Sequence, residues 1–511
     1  MIDYIFAAVF ALSLLIFSHE LGHFMAAKLS GIRVLRFSMG FGPVLLRWGR
    51  GETEYALSAI PFGGYVKMAG EGDEDETKGE PWEFASKPVW KRLIVVIAGP
   101  FMNLLLALVI TISVIYIGGI EYVDTTRLGR VVPGSLADGA GLVVGDRILA
   151  VGETDVGNWS DLTDALLTVP GGPVNISIER EGEVVQTVMV FPDSVTPAVY
   201  RRIGVEPFER PVIGKARRRS PARRAGLRSG DEIVSIAGTP ITQWGEIAAI
   251  IHESPGVAIP IVWLRDGNRM EAEVVPEEGD VLSDAPIIGT VRGGSAADLG
   301  GLERGDRIVS VNGARVERWG EVGEFVRQSG GAPVVIAWDR DGHPMQAEVV
   351  LEEGDILNDP MKVTRKGLIQ IKAFYARRDV PLLEAASLGF DHTMWLAKQV
   401  LLFIKVLFTG QASRDMVGGP IRIGQMAGEM VMWGVAELFF FIAYLSVVLC
   451  LLNLLPVPVL DGGHVVFLAI EVVMRRPLSL RVRTVFQQVG FVLLLLVMAL
   501  VMVLDLDKLR G

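Results

Sequence analysis

Two histidines and a glutamate near the start of the chain have the types and the spacing of a metal-dependent hydrolytic centre. His19, Glu20 and His23 form the pattern H-E-x-x-H. On a helix, residues i and i+4 project from one face, so both imidazoles can reach a single Zn²⁺ ion. Glu20 lies beside them and can take the proton of an attacking water molecule. Because the motif falls within an apolar run, where ionisable groups are costly and usually functional, it predicts a zinc site.

A catalytic zinc ion usually takes three protein ligands and keeps one position open. Two candidates for the third ligand, Asp461 and His464, follow the stretch Asn453-Leu-Leu-Pro-Val-Pro-Val-Leu. The two prolines break a helix there, and irregular backbone within a membrane is tolerated only where it is buried or lines a wet cavity. A lone aspartate in that place needs a cation or a polar partner, so Asp461 is the preferred ligand and His464 its rival. The alternative is a kinked helix with Asp461 at a cap.

The elements that must position these residues are long and apolar. Half of the 511 residues are hydrophobic and 21% are charged, and the mean hydropathy is +0.40. This balance indicates bilayer segments combined with water-soluble domains. Four runs come near the ~20 residues that span ~30 Å of hydrocarbon. They cover roughly Tyr4 to Leu29, Leu93 to Ile117, Glu437 to Leu455 and Phe486 to Leu504.

Charge gives these spans an orientation. A fifth run, Leu383 to Phe408, carries a charge every seven residues and predicts an amphipathic helix on or against the bilayer. Ten Lys and Arg residues lie from Lys28 to Arg92, and four arginines precede the last span. The positive-inside rule places both groups in the cytoplasm, and with four spans both termini and residues 118–430 lie outside it. The net charge of −10 argues against nucleic-acid binding.

The middle of the chain contains one pattern three times. The copies begin at Gly129, Gly214 and Gly289 and share a serine, a Gly-Leu pair, a Gly-Asp pair, a tryptophan and an Arg-acid-Gly turn. From the first glycine the intervals are 6, 6, 4 and 14 residues in every copy. Each copy predicts a small α+β unit with a hairpin at the Arg-acid-Gly turn.

The pattern S-x-A-x-x-x-G-L-x-x-G-D-x-I resembles PDZ domains of the bacterial, circularly permuted kind. The resemblance implies that loops near Gly129, Gly214 and Gly289 offer N–H groups to a carboxylate or an extended peptide. These glycines could instead be turn residues that need a positive φ. The three units could also act as a rigid sieve for folded ectodomains.

Together, the HELGH motif, the N-x-x-P-x-P-x-L-D-G motif and the PDZ-like copies resemble the site-2 protease family, of the bacterial regulator-of-sigma-E type. The resemblance implies zinc held by His19, His23 and Asp461, Glu20 as general base, and Asn453 as a substrate-positioning residue. The family's G-P-x-x-N stretch is similar to residues 99–103. Its Gly-rich membrane-associated β segment is similar to residues 37–43 and 61–67.

The resemblance implies an intramembrane zinc metalloprotease that cleaves transmembrane segments of single-span proteins, trimmed first by a site-1 protease. It also implies a bacterial inner membrane location with extracytoplasmic PDZ domains. A transmembrane helix hides its peptide bonds, so cleavage requires unwinding, and a strand edge can hold the unwound segment. The alternating stretch from Tyr55 to Met68 is the candidate edge, with Gly63, Gly64 and Tyr65 as substrate-binding residues. The acidic run Glu71–Glu76 is interpreted as a solvated loop.

The expected fold is a multi-pass α-helical membrane protein with four transmembrane helices, a membrane-associated β segment and three inserted α+β PDZ domains. The expected boundaries are 1–30 and 93–117 for the first two spans, 31–92 for the β region, 121–195, 202–280 and 283–355 for the PDZ domains, 356–430 for a linker and amphipathic helix, and 437–474 and 486–504 for the last two spans. The alternatives are a non-catalytic PDZ membrane scaffold and a metal transporter with intramembrane His and Asp ligands. The single cysteine, Cys450, excludes an intramolecular disulfide framework.

Overall fold

The computed structural model describes residues 2–71, 78–194, 203–282, 286–291, 295–303, 305–316, 319, 322–323, 325, 332–340, 342–350, 356–358, 363–408, 419–476 and 480–510. The chain forms two compact units. The helical unit comprises residues 1–120 and 378–511, and the β-rich unit comprises residues 121–377. Of the acidic run, only Glu71 belongs to the described residues, and Gly72–Glu76 lie outside them.

The first elements along the chain are α1 (Ile2–Leu29), β1 (Val34–Arg50), β2 (Thr53–Met68), α2 (Val89–Gly118) and β3 (Ile120–Tyr122). They are followed by β4 (Leu128–Val131), α3 (Leu136–Gly139), β5 (Arg147–Val151), β6 (Thr154–Asp155), α4 (Trp159–Thr168), β7 (Pro170–Arg180), β8 (Glu183–Ser194) and β9 (Val205–Pro207). Next are β10 (Ile213–Ala216), α5 (Pro221–Arg224), β11 (Glu232–Ile236), β12 (Thr239–Pro240), α6 (Trp244–His252), β13 (Ile259–Arg265), β14 (Asn268–Val274) and β15 (Glu277–Leu282).

A third series contains β16 (Ile288–Val291), α7 (Ala296–Leu299), β17 (Arg307–Val311), β18 (Ala314–Arg315), β19 (Val334–Arg340), β20 (His343–Val349), β21 (Ile356–Asn358), β22 (Val363–Leu368), β23 (Ile371–Ala373) and β24 (Ala376–Arg378). The chain ends with α8 (Leu382–Phe408), α9 (Pro420–Trp433), α10 (Val435–Asn453), α11 (Asp461–Met474) and α12 (Leu480–Arg510).

Within the described residues of the helical unit, four helices are long and apolar enough to cross a membrane. Their spanning segments are Phe6–Leu29 of α1, Val89–Gly118, Val435–Asn453 and Thr484–Val503 of α12. They coincide with the four apolar runs of the sequence. The fifth run forms α8, which packs against α2 and α10 and buries Leu396 and Val400 in the core of the bundle.

Strands β1 and β2 form a sheet of four rows because each strand folds back on itself. Residues 34–39 pair with residues 64–68 on one side and with residues 54–57 on the other. Residues 44–50 then pair with the outer side of residues 53–58. The row from Gly64 to Met68 is therefore an edge, whereas the first half of β2 is internal. Only the second half of the expected Tyr55–Met68 edge lies at a sheet margin.

The two prolines after α10 separate it from α11. Helix α10 ends at Asn453 and α11 begins at Asp461, and both Pro456 and Pro458 lie between them. Proline lacks the N–H that a continuing helix needs. Gly462 lies against the carbonyls of Leu454 and Leu455, and a Cβ there would collide with them. The short non-helical segment thus folds tightly onto the first turn of α11.

The β-rich unit contains three antiparallel sheets of four strands with one shared strand order. The orders are β6-β5-β7-β8, β12-β11-β13-β14 and β18-β17-β19-β20. Each sheet covers its own apolar core. In each copy the shared serine, Ser135, Ser220 or Ser295, accepts a hydrogen bond from the backbone at the start of a short helix, a common way to satisfy orphan N–H groups.

The segment boundaries differ from those expected from the sequence. Strand β9 pairs with β4, and Ile203 lies in the first core, so residues 203–207 close the first segment and do not open the second. Strand β23 pairs with β10, and Ile369 is 3% exposed in the second core. Strand β21 closes the third segment on β16. The third segment is therefore inserted within the second, and residues 356–373 are not the expected linker.

The first glycines of the copies lie within strands and not in loops. Gly129, Gly214 and Gly289 belong to β4, β10 and β16. Gly129 and Gly214 do not have a positive φ, so the turn explanation is wrong for them. A Cβ at Gly129 would lie 2.5 Å from the Pro207 carbonyl oxygen, and one at Gly214 would overlap the Ala373 carbonyl oxygen. Close approach of the closing strand explains both glycines.

Candidate metal centre

Helix α1 presents both histidines of the motif to Asp461. The Nε2 atoms of His19 and His23 lie 3.1 Å apart. Asp461 Oδ2 lies 3.2 Å from His19 Nε2, and Asp461 Oδ1 lies 3.6 Å from His23 Nε2. One ligand atom from each residue falls within 4.8 Å of the others, a grouping able to hold a metal ion.

Glycines allow α1 and α2 to approach closely behind this group. A Cβ at Gly22 would collide with the backbone of Ala98, and a Cβ at Gly99 would collide with the His23 ring. His23 Nδ1 lies 2.8 Å from the carbonyl oxygen of Val95. Because a carbonyl can only accept, Nδ1 carries the proton and Nε2 keeps a free lone pair. The imidazole is thereby set in the tautomer that a metal ion requires.

The Asp461 carboxylate has a buried oxygen that is left available for a metal ion. Asp461 is the first residue of α11. Its Oδ2 is buried and accepts no hydrogen bond, although a buried polar atom normally has a partner. Two imidazole nitrogens and a carboxylate are the donor types that zinc prefers. The residues present therefore fit Zn²⁺.

Glu20 and the sheet edge line one cavity with these three residues. The cavity has a volume of about 470 Å³ and includes Gly64, Tyr65 and Val66 of the edge row. A Cβ at Gly64 would lie 3.0 Å from Glu20 Cγ and 2.9 Å from the Ser38 carbonyl oxygen. A side chain at position 64 would therefore displace Glu20. Backbone groups of the edge row consequently lie near the motif.

Other predicted residues have different places. Gly63 has a φ of 121° and packs against the Phe41 ring. His464 lines the cavity but does not belong to the three-residue group. Asn453 is the last residue of α10 and is not among the residues that line the cavity. Glu71, interpreted as part of a solvated loop, does line it.

Sequence reasoning assigned no role to two buried residues of α2. Asn103 is 1% exposed, and its Nδ2 lies 3.5 Å from His19 Nδ1. Arg92 lines the cavity and makes two bonds to Glu471, at 2.5 and 3.0 Å. Asn103 has two sequence signals, its place in an apolar span, where polar groups need partners, and its place at the end of the G-P-x-x-N stretch. Arg92 lies just before the predicted span and belongs to α2 only in the structure.

Comparison with known proteins identifies the family. The model of the peptidase family M50 matches residues 7–497. This chain belongs to peptidase family M50. A relative named as a zinc metalloprotease, NMA0084 of Neisseria meningitidis, is 30% identical over 99% of both chains. Another of that description, RSc1411 of Ralstonia nicotianae, is 32% identical over 99% of this chain and 98% of its own.

The regulator of sigma-E protease RseP of Escherichia coli is 29% identical over 98% of both chains. The expected family and enzyme class are confirmed. The protein is a zinc metalloendopeptidase with apolar helices able to cross a membrane. A bound Zn²⁺ ion supplies Lewis acidity toward the scissile carbonyl and makes water a stronger acid.

Proposed function

We propose that this M50 peptidase hydrolyses peptide bonds within the transmembrane segments of single-span membrane proteins. One observation carries the proposal: the His19–Glu20–His23 motif lies inside the spanning segment Phe6–Leu29. His19 is ten residues from Leu29, which is about 15 Å along a helix axis. A hydrolytic centre at that depth is suited to substrates that also lie in the membrane.

In this proposal the residues of the cavity have separate roles. His19, His23 and Asp461 hold the zinc ion. The Glu20 carboxylate accepts a proton from the attacking water and transfers it to the leaving amine. Its place beside the edge row, fixed by the absence of a side chain at Gly64, keeps it close to the peptide.

The substrate segment adds to the sheet as a further strand. Residues 64–68 pair on one side with residues 34–39, and within the described residues no strand pairs with their other side. An unwound segment can use those N–H and C=O groups, which replace its lost helical hydrogen bonds. Tyr65 is held by the hydrogen bond from Arg36 to its hydroxyl, 3.2 Å, so the edge is ordered before substrate arrives.

The three segments of the β-rich unit are PDZ-like in this proposal. Strands β9 and β23 each pair with one neighbour, and the described part of the chain places no strand on their other side. A peptide can add there as a further strand. The unit is extracytoplasmic, the enzyme resides in the inner membrane, and a site-1 protease trims the substrate first.

The decisive variant is Glu20→Gln, which keeps the shape of the side chain and removes the proton acceptor. The full-length enzyme in lipid vesicles, with a transmembrane reporter substrate, should lose at least about 100-fold in cleavage rate. Its zinc content should match the wild type, whereas His23→Ala should lose zinc. Undiminished cleavage by Glu20→Gln would refute the mechanism. A wild-type protein that contained no zinc and cleaved no substrate would favour the alternative of a non-catalytic PDZ membrane scaffold.

A further inference from the structure

Asn103 is a buried polar side chain that lies beside Nδ1 of His19. It lies on α2 within an apolar span and is 1% exposed. Its Nδ2 is 3.5 Å from His19 Nδ1, and its Oδ1 is buried with no hydrogen-bond partner. A buried amide oxygen without a hydrogen-bond partner is costly, and polar side chains kept inside a membrane span usually have a function.

The two histidines need the same kind of partner. Both Nε2 atoms face Asp461, so a metal ligand role leaves the proton of each ring on Nδ1. For His23 the acceptor is the Val95 carbonyl oxygen at 2.8 Å. For His19 the only side chain in the equivalent position is Asn103 among the described residues. An NH2 group facing an N–H would bring two donors together.

Rotation of the Asn103 amide by 180° resolves this conflict. The oxygen and nitrogen of an amide are distinguished by their hydrogen-bond network and not by shape. The rotated amide directs Oδ1 at the N–H of His19, which gives the ring an acceptor and the oxygen a donor.

The backbone at Asn103 is fixed from two sides. Ser446 Oγ on α10 donates to the Asn103 carbonyl oxygen at 2.6 Å. Ser18 Oγ on α1 donates to the Met102 carbonyl oxygen at 3.1 Å. These bonds attach α2 to both neighbouring helices at the level of His19. The backbone that carries the amide is thus held beside His19.

We propose that Asn103 is a positioning residue that accepts the His19 Nδ1–H through Oδ1 and fixes the tautomer and orientation of that ring for zinc. The inference rests on the proposed ligand role of His19. Partners behind a ligating histidine usually change metal affinity 10–100-fold when removed, on the order of magnitude seen in other sites. Asn103 therefore acts on the metal without touching it.

The test measures zinc affinity of the purified full-length protein by competition with a chelator. Asn103→Ala should bind zinc about 10–100-fold more weakly than the wild type. Asn103→Asp, which can only accept, should retain the affinity. Thr111→Val is the matched control because Thr111 is also buried on α2 and bonds only to the Ala107 carbonyl oxygen in the described structure. It should leave zinc affinity unchanged.

Cobalt substitution adds a spectroscopic readout. The visible bands of the Co²⁺ protein should shift in Asn103→Ala and stay close to wild type in Asn103→Asp and Thr111→Val. Unchanged zinc affinity in a monodisperse Asn103→Ala protein would overturn the inference, as would equal losses in the Ala and Asp variants. His19→Ala separates the two proposals: if it keeps full zinc affinity, the ligand set itself is wrong.

Discussion

Small residues set the distance between the two histidines and α2. Gly22 packs against the backbone of Ala98 and Gly99 packs against the two histidine rings, and neither glycine has room for a Cβ. In membranes, small residues allow the close helix approach that van der Waals packing requires. Here the approach also brings the Val95 carbonyl oxygen to His23 and Asn103 to His19. Packing and metal-site geometry therefore depend on the same positions.

Gly99→Ala should damage the metal centre although position 99 bears no side chain that could bind zinc. The added methyl group would overlap the His23 ring and lie 2.8 Å from His19 Cε1, so the rings must move. A displacement near 1 Å can cost about 100-fold in activity. Zinc content by mass spectrometry and reporter cleavage should both fall.

Gly118→Ala is the control for that substitution. Gly118 is on the same helix, and a Cβ there meets no atom within 4 Å. The control should keep wild-type zinc content and cleavage. If Gly99→Ala behaved like Gly118→Ala, the tight contact would not matter for the site.

At the scale of elements, the third ligand depends on how α11 is held against α2. Asp461 begins α11, and Glu471 lies ten residues further along it. Arg92 of α2 makes two bonds to Glu471, and the two side chains are 7% and 11% exposed. Arg92 also donates from Nε to the Lys87 carbonyl oxygen. This geometry fixes α11 relative to the helix that supports both histidines.

Removal of one member of this buried pair should destabilise the protein by about 3–5 kcal/mol, because the other charge stays buried. Arg92→Met should therefore lower the thermal midpoint of the purified enzyme and its zinc affinity together. The double variant Arg92→Met/Glu471→Leu should recover part of the stability. Arg377→Met is the control, since that residue pairs with Glu121 at the surface with 62% and 54% exposure, and exposed pairs contribute about 0–1 kcal/mol. If Arg377→Met lowered the thermal midpoint as much as Arg92→Met does, the larger contribution assigned to the buried pair would be refuted.

The sequence was informative about elements and their chemistry where the signal is local. Hydropathy predicts the spans because length and composition suffice, and helical spacing places His19 and His23 on one face. The partner of Asn103 has no such signal, because neither the G-P-x-x-N stretch nor the surrounding apolar run identifies what the side chain contacts. The fold-back of β1 and β2 depends on glycines such as Gly40 and Gly42, with φ values of 84° and 83°, whose effect on pairing is not local.

At the scale of the whole molecule, the insertion of the third segment into the second could not be predicted from the sequence, because pairing between strands far apart in the chain has no local signal. Strand β23 follows the third segment in the chain but pairs with β10 of the second. Alternating residues predict a strand without naming its partner. The insertion begins and ends with β15 and β22, which pair with each other. The second segment can close only after the third has been traversed.

Each of the three segments contains its own Arg–Asp ion pair, and this pair explains two landmarks of the sequence pattern. The arginine of each Arg-acid-Gly turn bonds through Nε and Nη2 to both oxygens of the aspartate in each Gly-Asp pair, at 2.7–2.8 Å. In the first segment these residues are Arg180 and Asp146. Arg180 also donates to the Gly141 carbonyl oxygen, so one side chain joins the hairpin, the turn and the end of the short helix.

The Asp146 pair should make the first segment sensitive to acid. Burial acts to raise the pKa of Asp146, but hydrogen bonds from Arg180 and the Val143 backbone outweigh it and hold the pKa below its ordinary value. A carboxyl group whose pKa is lowered on folding stabilises the fold above its unfolded pKa, and that contribution is lost as the pH falls through the folded pKa. Asp146→Asn should therefore weaken the first segment at pH 7, and the difference from wild type should shrink toward pH 3.

Hydrogen exchange of peptides from β5 and β7 in the full-length protein, corrected for intrinsic rates at each pH, measures this effect where it arises. Asp155→Asn is the matched control because Asp155 is exposed in the same sheet. It should leave protection unchanged, and the second and third segments should keep theirs in both variants. Since each segment has its own core, loss of protection in all three from Asp146→Asn alone would show that they unfold as one unit and not as three.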